Sequence, residues 1–286
     1  MRRGMDGSTR FRRPSPYRVA LASAIIYAKD VVAYYSLGGF VLVRLSVPLF
    51  MVATAWAIDR VTGGGGLVAK LGYEDYVAYV ALGFAFFGLM TTTLFEVGER
   101  IHREMVQGTL EVLLAAPASR AAWLAGTALG SLAISLVDMT LVILYYIALF
   151  GAGSIHLGLI NHAAAVVLLG VAGMMGLGVL LAGLIVNLKE PHAFNVLMTP
   201  FLMLLSGMMF PVEALPSLVS WASQLIPLTH AIESLRLVLL QGSTIGEVSG
   251  LLGILAGQGL IYGVLGYIVF KAQESRARRS GGLGKF

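Results

Sequence analysis

Apolar residues gather in six stretches of this chain, and polar ones are confined almost entirely to the breaks between them. The stretches run Leu37–Ile58, Tyr76–Val97, Ala122–Phe150, His162–Val186, Ala193–Phe210 and Val248–Phe270. A helix needs about 20 such residues to cross a bilayer. Tyr76–Phe95 carries no charge, and the fourth stretch is equally clean. The fifth is short, holds Pro200, and leads into LLSGMMFPVEALPSLVSWASQLIPLTHAIESLR, from Leu204 to Arg236. There Pro211, Pro216 and Pro227 cut the apolar pattern into pieces too short to cross, yet too apolar for solvated loops. Short helices are tolerated at membrane depth only where protein buries them or a cavity wets their ends. Residues 211–241 are therefore expected to form a helix pair that enters the membrane and returns to the same side, as at the mouth of a translocation path.

Ahead of the first span, Val19–Ala28 is a shorter apolar run. Its Ala22-Ser23-Ala24 resembles a leader-cleavage site, but these small residues lie inside the run and Lys29-Asp30 follows it. Tyr17–Tyr35 reads instead as a helix on the membrane surface, occupying 17–36. Residues 1–16 and 271–286 read as basic tails, the first disordered and the second cytoplasmic.

Composition narrows the class. Hydrophobic residues make up 57% of the 286 and charged ones 12%, against about 25% charged in soluble domains. The expected fold is all-α and polytopic: six transmembrane helices over 37–270, a surface helix before them, and the re-entrant pair between spans five and six. No large soluble domain is expected beside them. The net charge of +5 is no nucleic-acid signature, because basic residues cluster at the two ends and at span boundaries. With no Cys, disulfides and thiol chemistry are excluded. Lys and Arg number 16 on one side of the layout and 3 on the other, with Arg44 inside the first span. The positive-inside rule then places both termini in the cytoplasm and the broken helices at the outer face of a plasma membrane.

The largest cytoplasmic connection is residues 98–120, dense in charge. Thr109 is placed to cap a helix starting at Leu110, where Glu111 suits the positive end. Leu110, Leu113 and Leu114 form one apolar face before Pro117 stops the helix. Such a helix suits docking into a groove on another protein; a solvated connector is the other reading, and pattern alone leaves both open.

The run Arg103-Glu104, Gly108-Thr109-Leu110-Glu111, Leu113-Leu114 and Pro117 resembles the first cytoplasmic loop of ABC-2-type membrane permeases. The runs Leu205-Ser206-Gly207-Met208-Met209-Phe210-Pro211, Leu215-Pro216 and Pro227-Leu228-Thr229-His230-Ala231 resemble that family's fifth-span signature. The resemblance implies the membrane half of an ATP-binding-cassette transporter, usually an exporter, in which two permease copies work with two copies of a separate ATPase. It implies a coupling role toward the ATPase for Glu99, Arg103, Glu104, Gly108, Thr109, Leu110, Glu111, Leu113, Leu114 and Pro117. ATP and Mg would sit on the ATPase, with no cofactor on this chain. The sequence agrees, since it has no G-x-x-x-x-G-K-[ST] run: Gly63-Gly64-Gly65-Gly66 is followed by Leu67, and Lys70 is wrongly spaced.

Two charges fall within spans. Arg44, seven residues into span one, is about 10 Å deep at 1.5 Å per residue and is expected to snorkel to the headgroups. Asp138 is expected near the middle of span three, where it serves either substrate contact and gating or a structural hydrogen bond. Span two lines up Phe84, Phe87, Thr91 and Phe95; span five lines up Phe194, Leu197, Phe201, Leu205 and Met208. These are the spans with which the family lines its path, so Phe84, Phe87, Thr91, Asp138, Phe201, Leu205 and Met208 are candidate path residues for hydrophobic or amphipathic cargo; plain core packing is the alternative for each. Pro211, Pro216, Pro227, His230 and Glu233 are candidate outer-gate residues, with His230, Glu233 and Arg236 as a polar rim. Two ligands without a third make no metal site.

Rival classes fare worse. An intramembrane serine protease would want G-x-S-G, but Gly151-Ala152-Gly153-Ser154 continues to Ile155; a zinc type would want H-E-x-x-H, but His102 precedes Arg103-Glu104. An ion-driven secondary transporter using Asp138 would show paired broken helices in two halves, and the sequence has one.

Overall fold

The computed structural model describes residues 14–279, apart from 64, 110, 111, 114, 115, 117 and 186–190. Among these residues there are helices and turns and no strand. The order is α1 Pro16–Thr62, α2 Gly65–Ala69, α3 Tyr76–Val106, α4 Arg120–Phe150, α5 Ile160–Ile185, α6 Pro191–Leu205, α7 Ser217–Gln224, α8 Pro227–Leu240 and α9 Ser249–Arg279. The basic first tail and the end of the last one lie outside the described residues.

Five of these helices contain segments long and apolar enough to cross a membrane: Pro16–Thr62, Tyr76–Glu96, Ala122–Phe150, Leu157–Leu181 and Ser249–Val269. The chain is an all-α polytopic membrane protein. The fifth expected span, Ala193–Phe210, is shorter than its apolar pattern. Helix α6 has 15 residues, about 22 Å at 1.5 Å per residue, against a hydrocarbon core of about 30 Å. It stops because Gly207 turns at φ 70°, a conformation open to glycine at no steric cost. The expected apolar helix pair is present as α7 and α8, with Pro216 capping one and Pro227 at the first turn of the other.

Helix α1 has 47 residues but is interrupted at Ser36, with φ 58° and ψ 163°. The part before Ser36 lies against the start of α4. Ser23 Oγ donates to the Trp123 carbonyl at 2.8 Å and meets Thr127 Oγ1 at 3.1 Å. Gly126 and Gly130 supply the room, since a Cβ at either would crowd the α1 backbone at Ala20 or Ala24. Small residues let membrane helices approach backbone to backbone, and the same device joins α5 to α9. There Gly176 faces the Gly259 carbonyl, and a Cβ on Gly259 would lie 3.0 Å from the Gly173 Cα.

Helix α3 is the centre of the bundle, touching α1, α4, α5, α6 and α8. Its stretch from Tyr76 to Met90 is nearly all buried, Val80, Phe86 and Met90 completely. It has 31 residues and runs ten beyond the apolar segment ending at Glu96. Helix α8 is the second buried element: too short to cross, yet with 11 of its 14 residues buried.

Candidate functional site

The projecting end of α3 carries a network of charges. Arg100 bonds Asp30 on α1 at 2.8 Å and Glu104 at 2.7 Å. Arg103 pairs with Glu96. Glu99 reaches α6, accepting from Asn195 Nδ2 at 2.6 Å with His192 Nδ1 at 3.2 Å. The helix ends where Gly108 takes φ 69° and Thr109 N–H returns to the Glu104 carbonyl at 3.0 Å. This six-to-one bond around a left-handed glycine is a Schellman stop. After it, Leu113 N–H bonds Thr109 O and Ala116 N–H bonds Val112 O, both at 3.0 Å and at helical spacing. One rigid rod therefore leads from the bundle core into a glycine-hinged turn, tied sideways to α1 and α6.

At membrane depth, Arg44 forms an ion pair with Asp138. The two residues are 94 positions apart, and the pair itself sets them at one level of the bundle. Arg44 therefore does more than snorkel: its guanidinium is held by a carboxylate and lies 5.3 Å over the Phe40 ring. Asp138 stands near the middle of its span, Ala122–Phe150. The pair borders a cavity of about 230 Å³ between α1, α3 and α4, to which Phe84 and Thr92 also contribute.

The opposite end is organised by Arg236. It is 1% exposed, and its donors go to Tyr79 O at 3.1 Å, Gly207 O at 2.8 Å and Met208 O at 2.6 Å. Its guanidinium lies 3.4 Å from the Tyr79 ring centre. Carbonyl dipoles and a ring face thus replace water around the charge. Gly83 leaves the space: a Cβ there would overlap the Met208 carbonyl. The expected polar rim is therefore corrected, because Arg236 and His230 face inward. His230 Nε2 meets Gln224 O at 2.9 Å, and Glu233 accepts from Tyr73 at 3.1 Å. Burial first, then the Glu233 carboxylate, pushes the Tyr73 phenol well above its ordinary pKa. It keeps its proton and remains a donor. Among the described residues, no group of three or more His, Asp and Glu side chains is placed to hold a metal ion.

The model of the family described as ABC-2 type transporter matches residues 36–240. The chain belongs to the ABC-2 type transporter family. The match begins at the Ser36 break and ends on the last residue of α8. Relatives include Nodulation protein J of Rhizobium leguminosarum bv. viciae, 26% identical over 224 residues, which are 73% of this chain and 78% of that protein. Nodulation protein J of Rhizobium leguminosarum bv. trifolii is 27% identical over 188 residues, 62% of this chain and 67% of that protein. The chain is thus the membrane transport subunit of an ABC-type transporter.

Within this ABC-2 subunit, the expected loop residues divide. Glu99, Arg103, Glu104, Gly108, Thr109 and Leu113 are gathered around the end of α3; Leu110, Glu111, Leu114 and Pro117 lie outside the described residues. Glu104 is buried and held by Arg100 and Thr109, so it braces the turn rather than facing outward. Thr109 spends its hydroxyl on Glu104.

The seven path candidates are not brought together. Phe84 and Asp138 share the cavity, Phe87 and Met208 are core residues, and Thr91 bonds its own helix at Phe87 O. Phe201 is 53% exposed on α6, and Leu205 accepts from Thr229 Oγ1 at 3.2 Å. Pro211 and Pro227 are buried and Pro216 is exposed. Sequence reasoning missed Arg236 as a buried clamp. Its signal was an arginine in an apolar segment too short to cross, which snorkelling does not explain.

Proposed function

We propose that this subunit exports a hydrophobic or amphipathic substrate (of drug, lipid or glycan-lipid type), working as a pair of copies and driven by a separate ATPase that binds ATP and Mg. The observation that carries the reading is the projecting end of α3. A membrane subunit without its own phosphate loop must take up the ATPase stroke mechanically, and here a rod from the bundle centre ends in the turn at Gly108 and Thr109. Arg100 and Glu99 link that rod to α1 and α6, so displacement of the turn would move three elements together. The exposed apolar side chains of α6, Val196, Leu197 and Phe201, suit contact with a second copy or with lipid.

The test is co-purification of an ATPase subunit together with substrate-stimulated ATP turnover in reconstituted membranes. Gly108→Pro cannot adopt the φ of 69°, and Leu114→Ala trims the expected apolar contact, where truncation of an interface centre costs about 2 kcal/mol or more. Both are expected to uncouple turnover or release the ATPase, while Arg2→Ala and Arg13→Ala do neither. Full coupling in both loop variants, or transport with no ATPase present, would sink the reading. The orientation is tested in the same cysteine-free background. With both termini in the cytoplasm of a plasma-membrane protein, an impermeant thiol reagent outside intact cells labels Ser154→Cys and not Gln107→Cys.

A further inference from the structure

The cavity between α1, α3 and α4 has the makings of a ligand site. At about 230 Å³ it falls below the about 300–1,000 Å³ of sites that engulf a drug-sized molecule, so it suits a head group with the rest of the ligand outside. Val47, Met51, Leu89 and Val142 give it apolar walls. Arg44 and Asp138 border it with 24% and 33% of their side chains accessible, so it is not sealed.

Three polar groups at one level retain unused bonding capacity. Asp138 Oδ2 accepts from Arg44, but Oδ1 is buried without a partner. Pro48 lies inside α1 and has no N–H, so the Arg44 carbonyl four residues earlier lacks its helical donor. Arg44 uses Nη1 on Asp138, which leaves the other guanidinium N–H groups as donors. Polar groups left unsatisfied inside hydrocarbon are costly, and the two residues that carry these, Arg44 and Asp138, both border the cavity.

Their signs select the ligand. An anionic head is opposed by Asp138 and a cationic one by Arg44. A hydroxyl, which both donates and accepts, can bond the carboxylate and the guanidinium and meets neither repulsion. Beside the cavity, α1 exposes Leu42, Leu45, Leu49 and Phe50, an apolar strip against which an acyl chain can lie. We propose that this cavity binds the uncharged, hydroxyl-bearing head of a membrane amphiphile whose chain stays in the bilayer along α1. Its role as a waiting place for cargo rests on the transport reading; the binding does not.

The experiment uses the purified full chain in phosphatidylcholine liposomes, with no ATPase. A monoacylglycerol carrying a diazirine near its head is photolysed, and its adducts are mapped by mass spectrometry. Adducts are expected on Val47, Ser135 and Met139, falling several-fold with excess unlabelled monoacylglycerol but not with an alkyl phosphate or alkyltrimethylammonium of equal chain length. Two variants act independently. Arg44→Leu with Asp138→Leu removes both charges together, so neither is left buried alone. Gly88→Leu adds bulk to the cavity wall, where a Cβ meets nothing within 4 Å. Both are expected to lose the cavity adducts and keep those at Phe50. Equal competition by the charged amphiphiles overturns the proposal, as does survival of the cavity adducts in the doubly neutral variant. The competition on the unaltered chain decides the matter even if a variant misfolds. Since nothing is transported, a negative result leaves the ABC assignment standing.

Discussion

Arg236 shows how one side chain can hold a membrane hairpin. Helix α6 ends without the continuing turn that would satisfy its last carbonyls, and Gly207 and Met208 would face the interior with no donor. The guanidinium supplies both bonds and takes the Tyr79 carbonyl as a third. Its planar fork reaches three acceptors while stacking on Tyr79, which a lysine ammonium cannot do. Arg236→Met should leave the Gly207 and Met208 carbonyls unpaired, at about 1–3 kcal/mol each, while the Tyr79 carbonyl keeps its helical bond from the Gly83 N–H. Arg236→Lys should rescue only part of that. Thermal unfolding in detergent, followed by helical circular dichroism, should rank native above Lys above Met. A Met variant as stable as the native chain would mean that water reaches these carbonyls and that the clamp is dispensable.

At the scale of elements, the long apolar runs were legible because a membrane helix must be continuous and largely uncharged, and the five helices long enough to cross announced themselves. Contacts between spans were not legible. Arg44 and Asp138 are 94 residues apart, and nothing in either local pattern says that α1 and α4 bring them to one level. The helix end at Gly207 was likewise hidden, because the apolar pattern continues past it to Phe210. The same holds for the glycines of α5 and α9, since a small residue in a span signals close approach only once the facing helix is known. Gly259→Leu should force α9 away from Gly173 and Gly176, with an overpacking cost of about 1–3 kcal/mol. Gly257→Leu is the control, because a Cβ at Gly257 meets nothing within 4 Å; away from packed features its effect should stay within about 0.5 kcal/mol. Equal melting shifts in the two variants would deny the crossing its tight contact.

For the molecule as a whole, the question is how motion at one end would reach the other. Helix α3 joins the charged turn to the Arg236 clamp, since Tyr79 near its start carries the ring and carbonyl that Arg236 holds. A rigid element bonded at both ends transmits displacement, provided that its neighbours move with it. Glu99 is the link to α6, through Asn195 and His192, and α6 in turn ends at the carbonyls clamped by Arg236. The path from turn to hairpin thus has two parallel members, α3 and α6, tied at both ends. Cutting one tie should weaken transmission without disturbing the surface that receives an ATPase. Glu99→Ala is therefore expected to keep ATPase co-purification and basal ATP turnover while lowering transport per ATP hydrolysed. Glu99→Gln, which can still accept from Asn195, should restore most of it. The measurement is the ratio of substrate moved to phosphate released in proteoliposomes. If Glu99→Ala leaves that ratio unchanged, force travels through α3 alone; if it releases the ATPase, Glu99 belongs to the docking surface instead.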